Sequence, residues 1–151
     1  MSINRNSLVG LREISEETVR EICELAVSSD QQQFVAPNGM SIAQAHFSDK
    51  AWFRAIYADE TPVGFVMLED DRAKPEYYLW RFMIDARYQQ NGFGKRAMEL
   101  LIDHVKTLPG AIELLTSVEQ APGGPQSFYE KLGFRLTGAY EDGEAMMRLP
   151  I

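Results

Sequence analysis

The sequence predicts a mixed α/β domain: a central, mostly antiparallel sheet of six or seven strands, one parallel βαβ crossover and about four helices. Three observations carry this expectation. With 151 residues, 45% of them hydrophobic, the chain can bury one good core, so a single domain over 1–151 is expected. Its periodic segments run strand, two helices, three strands, helix, strand, helix, two strands, and neighbouring strands pair antiparallel. Residues 77–118 alone read strand, helix, strand, which packs as a right-handed parallel unit.

Val9 to Ile14 alternates apolar and polar residues, the pattern of a strand with one wet face. Ser15 is placed to cap a helix whose stripe is Val19, Ile22, Cys23 and Ala26, ending near Ser28. Asp30 to Gly39 is a polar loop containing Pro37, and Ser41 with Gln44 matches a capping box that opens a short helix through His46 or Phe47. Phe34 and Val35 are loop candidates for substrate contact, with burial in the core as the alternative. Ala51 to Tyr57 and Val63 to Leu68 read as a hairpin joined by residues 58–62. Glu69-Asp70-Asp71 then reads as a solvated loop, or as counter-charge for a cationic acceptor.

Tyr77 to Ile84 is a dense aromatic and aliphatic run, the mark of a largely buried strand. After Asp85 to Asn91, a helix carries Gly94, Ala97, Met98, Leu101, Val105 and Leu108 on one face and charge on the other. Pro109-Gly110 stops it, and Ala111 to Val118 is the next strand. Pro122-Gly123-Gly124-Pro125 opens a helix from Gln126 to Leu132 that ends at Gly133. Phe134 to Thr137 and Glu144 to Leu149 are the last strands, turned by Glu141-Asp142-Gly143.

Composition narrows the function. A net charge of −7 and a pI near 4.8 argue against a nucleic-acid backbone as partner and suit a cationic substrate. The single Cys23 excludes an internal disulfide and a cysteine-based zinc site, and His46 and His104 follow no metal spacing, so no metal is expected. No apolar run is long enough for a bilayer, and Met1 to Asn6 lacks a signal-peptide core. A soluble, cytoplasmic protein without a membrane partner is expected, with a homodimer left open.

The turn at 85–94 carries the chemistry. The first N–H groups of a helix lack internal partners and sit at the positive end of its dipole. Gly92 and Gly94 remove side chains that would hold an anion away, and Lys95 and Arg96 add charge beside them. A phosphate or pyrophosphate is the natural guest, the alternative being a tight turn that needs glycine for its backbone angles. Gly92-Phe93-Gly94-Lys95-Arg96-Ala97 satisfies G-x-G-x-x-G/A, with Glu113 further on. A nicotinamide site is nevertheless rejected, because seven residues, 85–91, separate strand from glycines and there is only one parallel crossover. No P-loop pattern occurs.

Gln89-Gln90-Asn91-Gly92-Phe93-Gly94 matches the Q/R-x-x-G-x-G/A signature of the GNAT superfamily of acetyl-CoA-dependent N-acetyltransferases. Phe128-Tyr129-Glu130-Lys131-Leu132-Gly133-Phe134 resembles its second signature, and the order of elements agrees over essentially the whole chain. Arg81-Phe82-Met83-Ile84-Asp85 with Arg87-Tyr88-Gln89 is most similar to the bacterial spermine/spermidine acetyltransferase branch. The resemblance implies acetyl-CoA as donor, lying between two splayed parallel strands. Backbone groups of Phe82, Met83 and Ile84 would pair with its pantetheine arm, and the Gln89, Gln90, Asn91, Gly92, Phe93, Gly94 and Lys95 turn would hold its pyrophosphate. Tyr129 would protonate the departing thiolate.

The chain also departs from that pattern. Polyamine acetyltransferases of this kind carry a carboxylate on the fourth strand where Trp80 stands, which makes Trp80 a substrate-side residue and leaves Glu69 or a group near Asp30 as the substitute base. Pro122 and Pro125 replace the usual Asn and Ala ahead of the tyrosine, leaving Ser127 as a contact to the lower cofactor arm. The expected function is acetyl transfer, by direct attack, to a primary amine of a small cationic acceptor such as a polyamine. The alternatives are an aminoglycoside or protein amine as acceptor, or a non-catalytic acyl-CoA sensor.

Overall fold

The computed structural model describes residues 2–151. The elements are β1 (Val9–Arg12), α1 (Val19–Glu24), a 3-10 turn (Gln32–Phe34), α2 (Asn38–His46), β2 (Ala51–Ala58), β3 (Thr61–Asp71), β4 (Glu76–Ile84), a second 3-10 turn (Ala86–Tyr88), α3 (Phe93–Lys106), β5 (Glu113–Val118), α4 (Gln126–Lys131), β6 (Arg135–Glu141) and β7 (Glu144–Pro150). The strands form one seven-stranded sheet in the order β1-β2-β3-β4-β5-β7-β6. Every neighbouring pair is antiparallel except β4–β5, which is parallel. The expected mixed sheet, the single crossover and the four helices are all present.

Each face of the sheet has its own core. Alternation along β4 sends Tyr77, Leu79 and Ile84 to the side covered by α3, where they meet Phe93, Met98, Leu101, Val105 and Phe134. Full burial of Met98, Leu101 and Val105 stabilises by roughly 1.5–3 kcal/mol each relative to exposure, so packing rather than helix propensity holds α3. The other face takes Met83, Phe65, Met67 and Tyr57 against Ile22 and Ala45 from α1 and α2. Among the described residues, no helix is long and apolar enough to cross a membrane.

Several local expectations are corrected. Ser15 does not cap α1: it closes a turn with Thr18, and the helix stops at Glu24 with Leu25 extended, after which the Ala26 N–H reaches Asp85 Oδ2 at 2.9 Å. The capping box fails because the N-cap lies four residues earlier, at Pro37 (φ −57°), a backbone already suited to entering a helix. Ser41 therefore lies inside the first turn, and Gln44 Oε1 instead accepts from Arg81 Nη2 at 3.0 Å. The β2–β3 hairpin turns on Asp59-Glu60 alone. Glu69-Asp70-Asp71 belongs to β3, where Asp71 is buried against Lys50 at 3.1 Å and Asp70 pairs Arg72 at 3.2 Å. The charge of Asp70 and Asp71 is thus committed to the fold.

Two features of β4 shape the site. Met67 pairs with Arg81 and Leu68 with Leu79, so Trp80 is an extra, bulged residue that breaks the alternation. Trp80 and Arg81 consequently both serve the α1/α2 side, Trp80 by packing on that core and Arg81 by bonding Gln44. Further along, Gly64 of β3 lets the two strands close tightly: a Cβ there would lie 2.3 Å from Met83 O and 2.9 Å from Ile84 Cδ1. Gly64→Ala should therefore destabilise the protein by about 1–3 kcal/mol, the usual cost of overpacking. Chemical denaturation would read this as a lower midpoint at unchanged slope, and an unshifted midpoint would show that β3 and β4 can part without loss.

Candidate active site

The parallel β4–β5 pair is bonded at one register only, Tyr78 opposite Leu115. Thr116 Oγ1 then donates to Leu79 O at 3.2 Å, a further link from β5 to the β4 backbone. Beyond it the strands part, and the edge of β4 from Trp80 to Ile84 that faces β5 has no strand partner. The gap is the inner wall of a cleft of about 940 Å³. Unpaired backbone groups of this kind seek a partner, and a bound extended chain supplies one as an added strand would.

The cleft ends at the glycine turn. Gly92 is the N-cap of α3 with φ +79°, and Gln90 also has a positive φ, +67°. The first intrahelical bond is Arg96 N–H to Gly92 O at 3.2 Å, so the N–H groups of Phe93, Gly94 and Lys95 precede it. Side chains occupy the turn's carbonyls. Asn91 Nδ2 donates to Tyr88 O (3.1 Å) and Gln89 O (3.3 Å), while Arg96 donates to Asn91 O (3.1 Å) and Gly92 O (3.3 Å). With the carbonyls held, the turn offers donors to an anion. Gln89 Nε2 ties the turn back to Ile84 O at 2.9 Å and to Gln31 Oε1 at 3.0 Å. Asp85 anchors the base of the turn: burial pushes its carboxyl up, but hydrogen bonds from Arg87 and Ala26 outweigh that and hold it below the usual range.

Phe82 stacks on Phe128 of α4 at 5.7 Å, giving the middle of the cleft an aromatic wall. Next to it Tyr129 is packed edge-on against Phe134 at 5.4 Å. Burial pushes the Tyr129 phenol far above its usual range, with the Thr116 hydroxyl pulling weakly the other way. The group is neutral and holds its proton at any ordinary pH.

The structure brings most of the expected site residues to this cleft: Phe82, Met83, Ile84, Gln89, Gln90, Gly92, Phe93, Gly94, Lys95 and Tyr129, with Phe34 and Trp80 towards its other end. Phe34 sits in the first 3-10 turn, half-buried, with Gly124 across from its ring. Four expected residues lie outside that lining. Glu69 does not line the cleft; it sits one strand away on β3, opposite Tyr78. Ser127 is exposed on the outside of α4, because a six-residue helix that buries Tyr129 turns its second residue to solvent. Asn91 acts through its side chain on the turn's carbonyls and is not itself in the lining. Asp30 is spent on Ser28 at 2.5 Å and also lies outside.

Sequence reasoning missed Tyr78, Ser117 and Glu144, which line the cleft, and treated Arg81 only as a neighbour of Trp80. Their signal was faint: Ser117 is a small hydroxyl beside Thr116 in a short strand, and Glu144 follows a turn where acid is unremarkable. Arg81 is half-buried, and desolvation lowers its pKa. It bonds Gln44 and Trp80 O, its Nε is buried without a partner, and it forms no ion pair among the described residues.

A profile of the acetyltransferase (GNAT) family matches residues 21–134. The spermine/spermidine N(1)-acetyltransferase of Bacillus subtilis (strain 168) is 24% identical over 146 residues, covering 92% of this chain and 96% of its own. The PaiA N-acetyltransferase of Thermoplasma acidophilum, solved in complex with coenzyme A, superposes with a TM-score of 0.71 at 18% identity, over 95% of this chain and 99% of that one. The ribosomal-protein-S18-alanine N-acetyltransferase of Escherichia coli gives a TM-score of 0.71 at 19% identity, over 95% and 94%.

The two glycines of the turn are separable by mutation. A Cβ on Gly92 meets only Arg96 Nε at 4.0 Å, so space is free there and the positive φ is the constraint. Gly92→Ala should cost about 1–2 kcal/mol of stability. Gly94 has no such φ, but its Cβ would touch Phe128 at 3.5 Å and Ile84 at 3.6 Å, inside the cleft. Gly94→Val should remain folded and bind coenzyme A at least about tenfold more weakly, a loss near 1.4 kcal/mol. Calorimetric titration giving unchanged affinity in folded Gly94→Val would remove the turn from the cofactor site.

Proposed function

The chain belongs to the GNAT acetyltransferase family and is an acetyl-CoA-dependent N-acetyltransferase; from that premise we propose that it acetylates a primary amine of a small acceptor by direct attack. The observation that carries this reading is the parted β4–β5 pair, with the donor turn at one end, Tyr129 in the middle and polar side chains at the other. Acetyl-CoA fits these residues on two counts: an unpaired strand edge runs beside the gap, and Gly94 keeps the entrance of α3 free of a side chain beside Phe128 and Ile84.

In this reading backbone groups of Phe82, Met83 and Ile84 hold the pantetheine arm, and the N–H groups from Gly92 to Lys95 hold the pyrophosphate, with Lys95 adding charge. Placement of the amine beside the thioester supplies much of the rate. A β4 N–H near Met83 or Ile84 polarises the thioester carbonyl. Tyr129 donates to the sulfur as the C–S bond breaks. In water an alkyl thiol titrates near pH ~8.5 and a phenol near ~10, and burial raises Tyr129 further. Full transfer from the phenol alone is therefore uphill. The hydrogen bond stabilises the thiolate, and transfer completes when a proton leaving the acceptor nitrogen refills the phenol.

A polyamine is the acceptor supported by the names of the curated relatives and by Glu144 in the lining. Arg81 favours a second reading: a half-buried guanidinium without an ion pair suits an amine that also carries a carboxylate.

Tyr129→Phe should leave the fold and coenzyme A affinity nearly unchanged and lower kcat by roughly 10²–10⁴-fold, with little change in KM. Near-native turnover while chemistry limits the rate would reduce Tyr129 to a packing role. Arg81→Gln decides between the acceptors. It should raise kcat/KM for spermidine severalfold if polyamines are used, because a cation leaves the site, and rising salt should slow spermidine turnover by screening. Loss of activity on amino acids, with no gain on spermidine, would select the second reading.

A further inference from the structure

Acetylation of an amine needs a proton acceptor, and the fourth-strand position expected to supply one holds Trp80. Among the described residues that line the cleft, Glu144 is the single carboxylate and no histidine is present. Glu144 does not stand alone. Ser117 Oγ donates to Glu144 Oε1 at 2.7 Å, and the Tyr78 hydroxyl is in hydrogen-bond contact with Ser117 Oγ. The sheet builds this chain across three strands. Tyr78 of β4 is opposite Leu115 of β5, Ser117 lies two residues on, and Ser117 is opposite Met146 of β7, two residues after Glu144. Period-two alternation puts all three on one face, at the point where β4 and β5 begin to part.

The direction of the chain follows from proton inventory. An ionised carboxylate only accepts, so Ser117 spends its one proton on Glu144. Ser117 then has only lone pairs for Tyr78, whose proton must point to Ser117. The lone pairs of Tyr78 are left for the cleft, where they can accept from an N–H.

We propose that Tyr78, Ser117 and Glu144 form the proton relay that receives and deprotonates the acceptor's ammonium group, with Tyr78 as the atom in contact and Glu144 as the terminal acceptor. This rests on the amine acetylation proposed above. An ammonium N–H donates to Tyr78 Oη; that proton passes to Tyr78, the phenolic proton to Ser117, and the serine proton to Glu144. The freed nitrogen pair forms the C–N bond, the C–S pair goes to sulfur, and the second nitrogen proton balances the thiol. Half-buried at the start of β7, Glu144 returns its proton to water. An alkylammonium near pKa ~10.4 is almost wholly charged at neutral pH. The relay lets that abundant form bind and lose its proton in place. Ser117 and Glu144 are positioning residues; Tyr78 alone touches substrate. Burial raises the Tyr78 phenol, with Ser117 opposing, Glu144 and Glu141 raising it and Arg81 lowering it; Glu69 is its cross-strand neighbour and Tyr129 faces it within the cleft. It stays neutral and passes protons without itself being the base.

The test compares wild type with E144Q, Y78F, S117A and S117T by thiol release from acetyl-CoA, using amines of graded basicity. Against strongly basic amines near neutral pH, E144Q, Y78F and S117A should lose about 10²-fold in kcat/KM, while S117T, which keeps the hydroxyl, retains activity. The deficit should shrink towards unity for trifluoroethylamine, already neutral in the assay, and for basic amines as pH approaches their pKa. Coenzyme A affinity should not change. In the free protein, ultraviolet titration should show one tyrosine, absent from Y78F, ionising at lower pH in E144Q than in wild type. Variants that lose nothing, or lose the same factor for every amine, overturn the relay and leave the acetyltransferase reading standing. An unshifted tyrosine in E144Q overturns the coupling of Glu144 to Tyr78. A wild type that releases thiol with no amine overturns the amine reading and the relay with it.

Discussion

Everything in this molecule depends on two parallel strands being held together at one end and apart at the other. β4 and β5 share a single bridge, Tyr78 to Leu115, reinforced by the Thr116 hydroxyl on Leu79 O. Past that point the sheet has an opening with bare backbone groups along β4. Such groups are costly to leave unpaired away from water, so the surrounding structure has to hold the gap rigidly. It does so from the outside. β3 pairs β4 along its whole length, with Gly64 admitting close approach, and β7 pairs β5 residue by residue from Glu113 to Val118. The Trp80 bulge adds the local twist that turns β4 away.

The ends of the gap are chemically distinct, and the distinction is made by where hydrogen bonds are already spent. At the donor turn, Asn91 and Arg96 occupy the carbonyls, so donors remain for an anion. At the end lined by Glu144, the carboxylate takes the Ser117 hydroxyl as donor, so hydrogen-bond acceptors remain open to the cleft. The middle is aromatic, through Phe82, Phe128 and Tyr129. An elongated donor with an anionic end and a reacting centre near its other end matches this gradient.

The overall charge of −7 says little about this cleft. Its lining holds Arg81, Lys95 and Lys131 against one carboxylate, Glu144. Asp70 and Asp71 at the end of β3 are bound up in ion pairs with Arg72 and Lys50. Net charge therefore describes the surface as a whole. The preference of the site depends on which few charges are desolvated within it, and Arg81 is the clearest case.

The sequence by itself determined the order and type of the elements, because apolar periods of two and 3.6 residues report burial directly. It also located the donor turn: Gly92 and Gly94 at a helix entrance are a local requirement, written in adjacent residues. The ends of elements were less legible. Pro37 opened α2 before the expected cap, and Glu69-Asp70-Asp71 extended β3 although acid usually marks a loop. The cluster of Tyr78, Ser117 and Glu144 was left to tertiary structure altogether. Tyr78, Ser117 and Glu144 lie 39 and 27 residues apart in the chain, and no periodicity links them. They meet only because strand register sets β4, β5 and β7 side by side, while the same register keeps Glu69 one strand out of reach. Hydrogen-bond partnership at long range is a property of the sheet, and the sheet exists only once the chain has folded.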